Sequence, residues 1–566
     1  MTVNTASLYI KFFRVLIKLF FSAALLNFSC IHTGYAQTDT QQQIMQSRMV
    51  QLQDSNSLFI DGNKIAAVRL IPELYTKRQF TLTWQDGSKR DELIGIIRHI
   101  ASEGLNPEDY LLHSLLKYHV QDGNLTDADR VDFDILLTES LVRLGYHLRF
   151  GKVDPKSQDP GWNLNRSLVN EDPVAIIQAA IDSDSIQTFI DRVLPRQPFY
   201  ARYKQALADY RHIQEQGGWP LVPPGPALKP GMQDPRIAIL TKRLQVEGYL
   251  QGPLADPPDY FGAALEEAVN QFQQRHGLKQ DGVVGRQTLE AMNVSVEDRI
   301  DQIRVNLERG RWVFKDVQGD FLIINIAGFK AYLVRDNKLI WTSRVVIGRP
   351  YRKTPEFKSE IKYMILNPTW TVPPVILFND VLPKVRKDPG YIEEQRFAVL
   401  DRQGKRIDPD SLDWSVYTGK NFPYTLRQES GPDNALGRIK FVFPNPHFVY
   451  LHDTPHKELF DQPERTFSSG CIRIENPLQL AELLLNDNEK WNQQKIAEAI
   501  ATDKTQTINL PEPATIMLLY WTVVIETDDA VHFRKDIYGR DKQLLQALDG
   551  DFNISLPEGL PEKYYH

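Results

Sequence analysis

Two stretches near the C-terminal end hold residues whose types and spacing suit covalent chemistry. One reads Val449-Tyr-Leu-His-Asp-Thr-Pro455, the other Phe467-Ser-Ser-Gly-Cys-Ile-Arg473, so His452 and Cys471 stand 19 positions apart. A thiolate is a strong nucleophile, and a nearby imidazole is the usual device for making one near neutral pH. Phe448 to Leu451 reads as a buried strand with His452 at its end. Before the cysteine, Ser468-Ser469-Gly470 is a flexible turn able to aim the backbone N–H groups of Ser469, Gly470 and Cys471 at a developing oxyanion. Side chains two apart on an extended backbone share a face, which sets Arg473 beside Cys471 and Tyr450 beside His452. Arg473 is a candidate to favour the thiolate or to grip a carboxylate in bidentate fashion; the bland alternative is an ion pair with Glu475. Tyr450 and Ser468 are candidate substrate contacts, with a core position for the first and turn-shaping for the second as the competing readings. Asp453 adjoins His452 but points to the opposite face, which makes its carboxylate a poor partner for the imidazole. His456 reads as a solvent-facing loop residue, and Pro455 keeps it off any helix shared with His452, so the pair carries no zinc signature.

Composition narrows the setting. At 566 residues the chain calls for three or four units. It is 42% hydrophobic and 24% charged with net charge −6, and no basic excess points to nucleic acid. Residues 1–36 have the layout of a secretory signal peptide: Lys11, Arg14 and Lys18, the apolar run Leu19 to Phe28, then small residues at Gly34-Tyr35-Ala36. An uncleaved anchor over Leu8 to Ile31 is the alternative, though its charges interrupt a full membrane span. No later stretch is long and apolar enough to span a bilayer. Of the two cysteines, Cys30 falls inside that signal, and Leu26-Asn27-Phe28-Ser29 lacks the aliphatic residue of a lipoprotein site. The mature chain then keeps Cys471 alone in an oxidising compartment, where an unpaired thiol is a liability unless buried or used.

The elements that must position these residues follow from periodicity. Residues 37–55 read as a flexible leader and 56–216 as a helical domain, with helices over Lys89 to Ala101, Val131 to Leu148 and within Asp172 to Arg196. A Pro- and Gly-rich spacer spans 217–231. Residues 232–294 read as three short helices, followed by a connecting helix within 295–319. From 320 to 505 the period becomes strand-like, with strands at Phe321 to Ile326, Lys330 to Val334, Leu339 to Ile347, Ile361 to Leu366 and Arg438 to Phe443. These imply a β-sandwich or barrel-like domain, interrupted by an insertion at about 377–430 that reads as a lid. Residues 506–566 read as a hairpin and tail packing on that domain. The whole is a multidomain α+β chain.

Arg243-Leu244, Gly248-Tyr249-Leu250, Ala268 to Gln273, Asp281-Gly282 and Thr288-Leu289 resemble a three-helix peptidoglycan-binding domain. The pattern Tyr450-Leu-His-Asp-Thr-Pro455 with Ser468-Ser-Gly-Cys-Ile-Arg473 resembles the L,D-transpeptidases of the large Gram-negative type. Asn367 to Pro373, Gln428 to Arg438, Lys440 to Asn445 and Gly104 to Tyr110 extend that likeness across nearly the whole mature chain. Ser469 departs from the histidine that most of the wider family places two before its cysteine, leaving His452 as the motif's base.

The resemblance implies a periplasmic enzyme without cofactor. Its Cys471 would take the acyl group of a peptidoglycan tetrapeptide stem with release of D-alanine and pass it to diaminopimelate on a second stem, giving a 3→3 cross-link. It also implies acylation by carbapenems, a backbone carbonyl as the orienting partner of His452, and other cell-wall synthesis proteins as candidate partners. An L,D-carboxypeptidase using the same site, and a non-catalytic wall-binding scaffold, stand as alternatives.

Overall fold

Apolar residues at helical spacing gather around one long helix in the N-terminal part of the chain. In the computed structural model residues 40–552 are described, apart from 165–170, 253–256, 314–318, 419–420, 488 and 527–528. The signal peptide expected over 1–36 lies outside them. Asp127–Phe150 is the long helix, started by a capping box between Thr126 and Asp129. Leu70–Lys77, Gly87–Arg98, Leu112–Val120, Pro173–Asp182 and Ile186–Val193 are the shorter helices of the same compact unit, which comprises 40–152, 171–195 and 549–552. Polar residues on the long helix tie down the loops: the Asp134 carboxylate accepts from the Thr83 and Trp84 N–H groups, and Glu139 accepts from Ala66 and Ala67. The leader is not flexible where it is described. Residues 40–55 are helical because Met45, Met49 and Leu52, at helical spacing, are all fully buried.

The second compact unit comprises 153–164 and 196–548. Arg236–Val246, Ala263–Arg275 and Arg286–Met292 form a three-helix module around Leu240, Leu244, Val269 and Phe272. The spacer before it does not stand free, because Val222 and Leu228 enter the same core and Leu228 pairs with Val284. Nor is the connecting helix a rod in solvent. Val296–Val313 is largely buried, with Asn306 bonded to the Thr522 hydroxyl at 2.8 Å and Arg309 to Asp541 at 2.6 Å.

Among the described residues nine strands make the main sheet: β1 (Phe321–Asn325), β2 (Lys330–Arg335), β3 (Lys338–Gly348), β4 (Phe357–Leu366), β5 (Ile439–Val442), β6 (Leu451–His452), β7 (Thr466–Ser468), β8 (Ile472–Ile474) and β9 (Gln506–Leu519). Their order is β7-β3-β8-β6-β5-β4-β9-β1-β2, and β2 also pairs with β3, so the pairings run in a closed circuit. Three pairs are parallel: β6 with β8, β7 with β3 and β9 with β1. The sheet is therefore mixed rather than a set of antiparallel hairpins. Inward residues such as Leu322, Ile324, Ile361, Met364, Phe441, Leu451 and Ile472 form one core with Leu480 and Ala481 of the helix Pro477–Leu485. Burying each large apolar side chain contributes about 1.5–3 kcal/mol.

Three further segments differ from the sequence reading. Phe448 to Leu451 is not a buried strand: Phe448 has φ +55° and is 86% exposed, and the extended run shrinks to Leu451–His452. The Asn445 amide takes over there, accepting from the His447 and Val449 N–H groups and donating to the Phe443 and Val449 carbonyls. The insertion is a small folded body instead of a loop. Trp370–Thr371, Phe397–Leu400, Arg406–Ile407 and Thr425–Gln428 form a four-stranded antiparallel sheet over Leu382, Val385, Trp414 and Leu426. Finally, 506–519 is no appended tail. It lies between β4 and β1 in the middle of the sheet. A chain ending at residue 505 is expected to lose cooperative unfolding and near-ultraviolet circular dichroism, whereas one ending at 548 keeps both; a folded 505-residue chain would contradict the central place of β9.

Candidate active site

The parallel pairing of β6 with β8 sets Leu451 opposite Ile472 and His452 opposite Arg473. On the other side β5 places Lys440 opposite His452 and Phe441 opposite Leu451. Because strands alternate faces, Leu451, Ile472 and Phe441 enter the core while the other set shares the opposite face. Lys440, His452 and Arg473 form one row across three strands, with Tyr450 and Cys471 in the next. The Lys440 ammonium lies 3.8 Å from the Tyr450 ring centroid, and the Tyr450 and His452 rings meet edge-on at 5.7 Å. Cys471 and His452 are diagonal neighbours, about 8 Å apart at their α-carbons by strand geometry. They are not hydrogen-bonded; the thiol faces the Tyr450 hydroxyl and the Phe448 carbonyl, the latter at 4.0 Å.

His452 is buried, and its Nδ1 lies 2.5 Å from the Asp453 carbonyl oxygen. That bond places the ring proton on Nδ1 and leaves Nε2 as the acceptor. The orienting group is thus a backbone carbonyl, that of Asp453 itself. The Asp453 carboxylate points away, accepting from the Arg438 N–H at 2.8 Å and from Lys457 at 2.5 Å. A Cβ on Gly437 would fall 2.4 Å from that carboxylate, so glycine is needed there. His456 is exposed and faces Glu458, away from the site.

The nucleophile turn is closed from within. The Ser468 hydroxyl, buried, donates to the Cys471 carbonyl at 2.6 Å and accepts from the Gly470 N–H at 3.1 Å. Ser468 therefore shapes the turn, and its single hydroxyl proton is committed there rather than to a substrate contact. The same bond removes Gly470 from the expected oxyanion donors, and among the described residues only the Ser469 and Cys471 N–H groups of that trio meet no protein acceptor. Gly470 carries φ +115°, a conformation that favours glycine.

Three residues that the motifs did not single out hold this turn. Thr354, fully buried, accepts from the Gly348 N–H at 2.9 Å and donates to the Gly470 carbonyl at 2.8 Å. The Tyr538 hydroxyl donates to the Gly348 carbonyl at 2.6 Å and accepts from the Thr354 N–H at 3.2 Å. Arg352 donates to the Ser469 hydroxyl at 2.8 Å. Lys440 is the fourth omission, and a strand-alternation count from Phe441 would have found it.

The electrostatics describe a neutral resting pair. Burial raises the Cys471 thiol above its ordinary value, while Tyr450, Lys440 and Arg473 pull it back in part. Burial, then the Arg473 charge, lowers His452 to about 3. Arg473 is not paired with Glu475, whose carboxylate is held by Arg344 at 2.8 Å. Among the described residues neither Arg473 nor Lys440 makes a salt bridge, and the Arg473 Nε is buried without a hydrogen-bond partner. Two half-buried cations without counter-ions flank the nucleophile and its base, which is a receptive arrangement for a carboxylate.

A thiol of this kind is expected to alkylate slowly with iodoacetamide at pH 5–7 and faster as pH rises through 9. Lys440→Met should slow the reaction at pH 8 by about three- to tenfold, since the lysine favours the thiolate. A flat, fast rate from pH 5 to 7 would reveal a resting thiolate–imidazolium pair and contradict the raised thiol and the lowered imidazole.

Comparison with known proteins matches three parts of this chain to known domains. Residues 69–207 match the scaffold domain, 233–292 the "Putative peptidoglycan binding domain" and 319–505 the L,D-transpeptidase catalytic domain, YkuD. A "Putative L,D-transpeptidase" of Haemophilus influenzae is 38% identical over 264 residues, which is 46% of this chain and 53% of that protein. The match thus spans about half the length of that relative. Two crystal structures also align over 52% of the chain. The L,D-transpeptidase of Xylanimonas cellulosilytica is 14% identical, covered over 100% of its length, with TM-score 0.18. That of Stackebrandtia nassauensis is 13% identical, covered over 94%, with TM-score 0.20, and at such scores neither likeness supports anything further. The chain carries, in order, a scaffold domain, a peptidoglycan-binding domain and an L,D-transpeptidase catalytic domain.

Proposed function

We propose that the chain is a cysteine-dependent L,D-transpeptidase that forms 3→3 cross-links between diaminopimelate residues of peptidoglycan. One observation carries this reading: Cys471 and His452 share a face with two cations that lack carboxylate partners, inside a catalytic domain of this family. Cys471 Sγ attacks the carbonyl joining the L-centre of diaminopimelate to the terminal D-alanine of a tetrapeptide stem. The thiol proton passes to Nε2 of His452 and on to the D-alanine nitrogen as the C–N bond breaks, leaving a thioester. The side-chain amine of diaminopimelate on a second stem attacks that thioester, gives its proton to His452 and frees the thiol. The Ser469 and Cys471 N–H groups stabilise the oxyanion in both steps; losing one such donor typically costs ~100-fold or more.

Substrate completes the electrostatics. Proton transfer from a raised thiol to a depressed imidazole is uphill. The terminal carboxylate of D-alanine, set between Lys440 and Arg473, cancels the positive field that depresses His452 and makes the imidazole a better base. The imidazolium formed next is a strong acid, suited to protonating the leaving amine. Insertion 370–428 serves as the cover that keeps water from the thioester, and the peptidoglycan-binding module raises the local concentration of stems. These domains fit action at the cell wall in the periplasm. No helix among the described residues is long and apolar enough to cross a membrane.

Incubation with tetrapeptide muropeptides, followed by mass analysis of products, tests the reading. Free D-alanine together with a dimer linked through two diaminopimelate residues is expected, and Cys471→Ala should give neither. Tripeptide without dimer would make the enzyme an L,D-carboxypeptidase; no product from folded protein with a reactive thiol would leave a wall-binding scaffold.

A further inference from the structure

Arg352 links the insertion to the nucleophile turn. It lies in the segment 349–356 between β3 and β4, where its N–H bonds the Arg349 carbonyl at 2.8 Å. This segment packs tightly on the turn: a Cβ added to Gly348 would stand 2.1 Å from the Arg352 carbonyl oxygen and 3.1 Å from the Gly470 Cα. The Arg352 side chain is 14% exposed. A single nitrogen, Nη1, donates to the Asp380 carboxylate at 2.5 Å and to the Ser469 hydroxyl at 2.8 Å, using its two hydrogens in two directions. Asp380 sits in the helical turn Leu377–Val381, whose Leu377 and Val381 are buried in the insertion's own core. It therefore moves with that core. At the other end, Ser469 carries one of the two N–H groups open to an oxyanion and precedes Cys471 by two residues.

We propose that Arg352 is a positioning residue that transmits the docking of the insertion to the oxyanion turn. With the insertion docked, Asp380 holds the guanidinium, the guanidinium holds the Ser469 hydroxyl, and the Ser469 and Cys471 N–H groups keep a fixed direction. With the insertion lifted, the guanidinium loses its anion and the turn loses its anchor. Acyl transfer is thereby favoured only under a closed cover, where water is excluded. The role of the turn as oxyanion hole rests on the proposed function above; the mechanical link rests on the two contacts of Nη1 alone.

The test uses the full chain and two substitutions that do not touch each other, Asp380→Asn and Ser469→Ala. Amide hydrogen exchange over residues 466–473, read by mass spectrometry, needs no activity. Exchange in Asp380→Asn is expected to rise about fivefold or more, to the level of Ser469→Ala, with the double variant no faster than either; unchanged exchange in Asp380→Asn would overturn the link. Acylation by a carbapenem, followed by intact mass, should slow about tenfold in each single variant and about tenfold, not hundredfold, in the double. Multiplying effects would show that the two residues act separately and would also overturn it. Arg352→Lys should recover part of what Arg352→Ala loses in both readouts, since an ammonium can still serve both acceptors. A wild-type chain that is never acylated refutes the proposed function instead, and hydrogen exchange still decides the link.

Discussion

One short parallel pairing governs the rest of the structure. Leu451–His452 and Ile472–Ile474 are only two and three residues long, yet their register fixes which side chains meet. Leu451, Ile472 and Ile474 are each fully buried in the main core, and a slip of one residue would turn them to the site face and bring the polar set inward. The core thus enforces the register, and the register places Tyr450, His452, Cys471 and Arg473 together. Chemistry on one face is held in place by apolar burial on the other. The strands are too short to do this alone; β5 and β3, on either side, extend the sheet and anchor both edges of the pair.

That arrangement sets the chemical character of the site. Burial keeps thiol and imidazole neutral at rest, and the flanking cations make the imidazole a weaker base still. A thiol resists oxidation better than a thiolate does. In the proposed mechanism reactivity is conferred by what binds: an anionic peptide end that neutralises Lys440 and Arg473, under a cover linked through Arg352 to Ser469.

The sequence carried local features well. The helix expected over Val131 to Leu148, the helical spacing of Leu240, Leu244, Val269 and Phe272, and the two motifs around His452 and Cys471 each rest on neighbouring residues, and each kind of signal is visible in one chain. Four features escaped it, three of them because they depend on distant partners. Met45, Met49 and Leu52 read as a polar leader until a core exists to bury them. The run 448–451 looked extended, but the Asn445 amide supplies the hydrogen bonds a strand would need and lets Phe448 turn outward. β9 lies nearly 150 residues beyond the neighbour β4 it pairs with, so its central position left no local trace. Arg352, Thr354 and Tyr538 reach the nucleophile turn from segments that carry no motif of their own. Even the partner of His452 was legible only in kind. A backbone carbonyl was expected from family resemblance, and the one found belongs to the residue whose carboxylate had been set aside.

The most direct measurement is intact-protein mass spectrometry after mixing with a tetrapeptide stem and quenching in acid, with peptide mapping of any adduct. A mass gain equal to the stem less D-alanine is expected, located on Cys471, absent in Cys471→Ala and strongly reduced in His452→Gln. An adduct on another residue, or one formed equally well without His452, would contradict it.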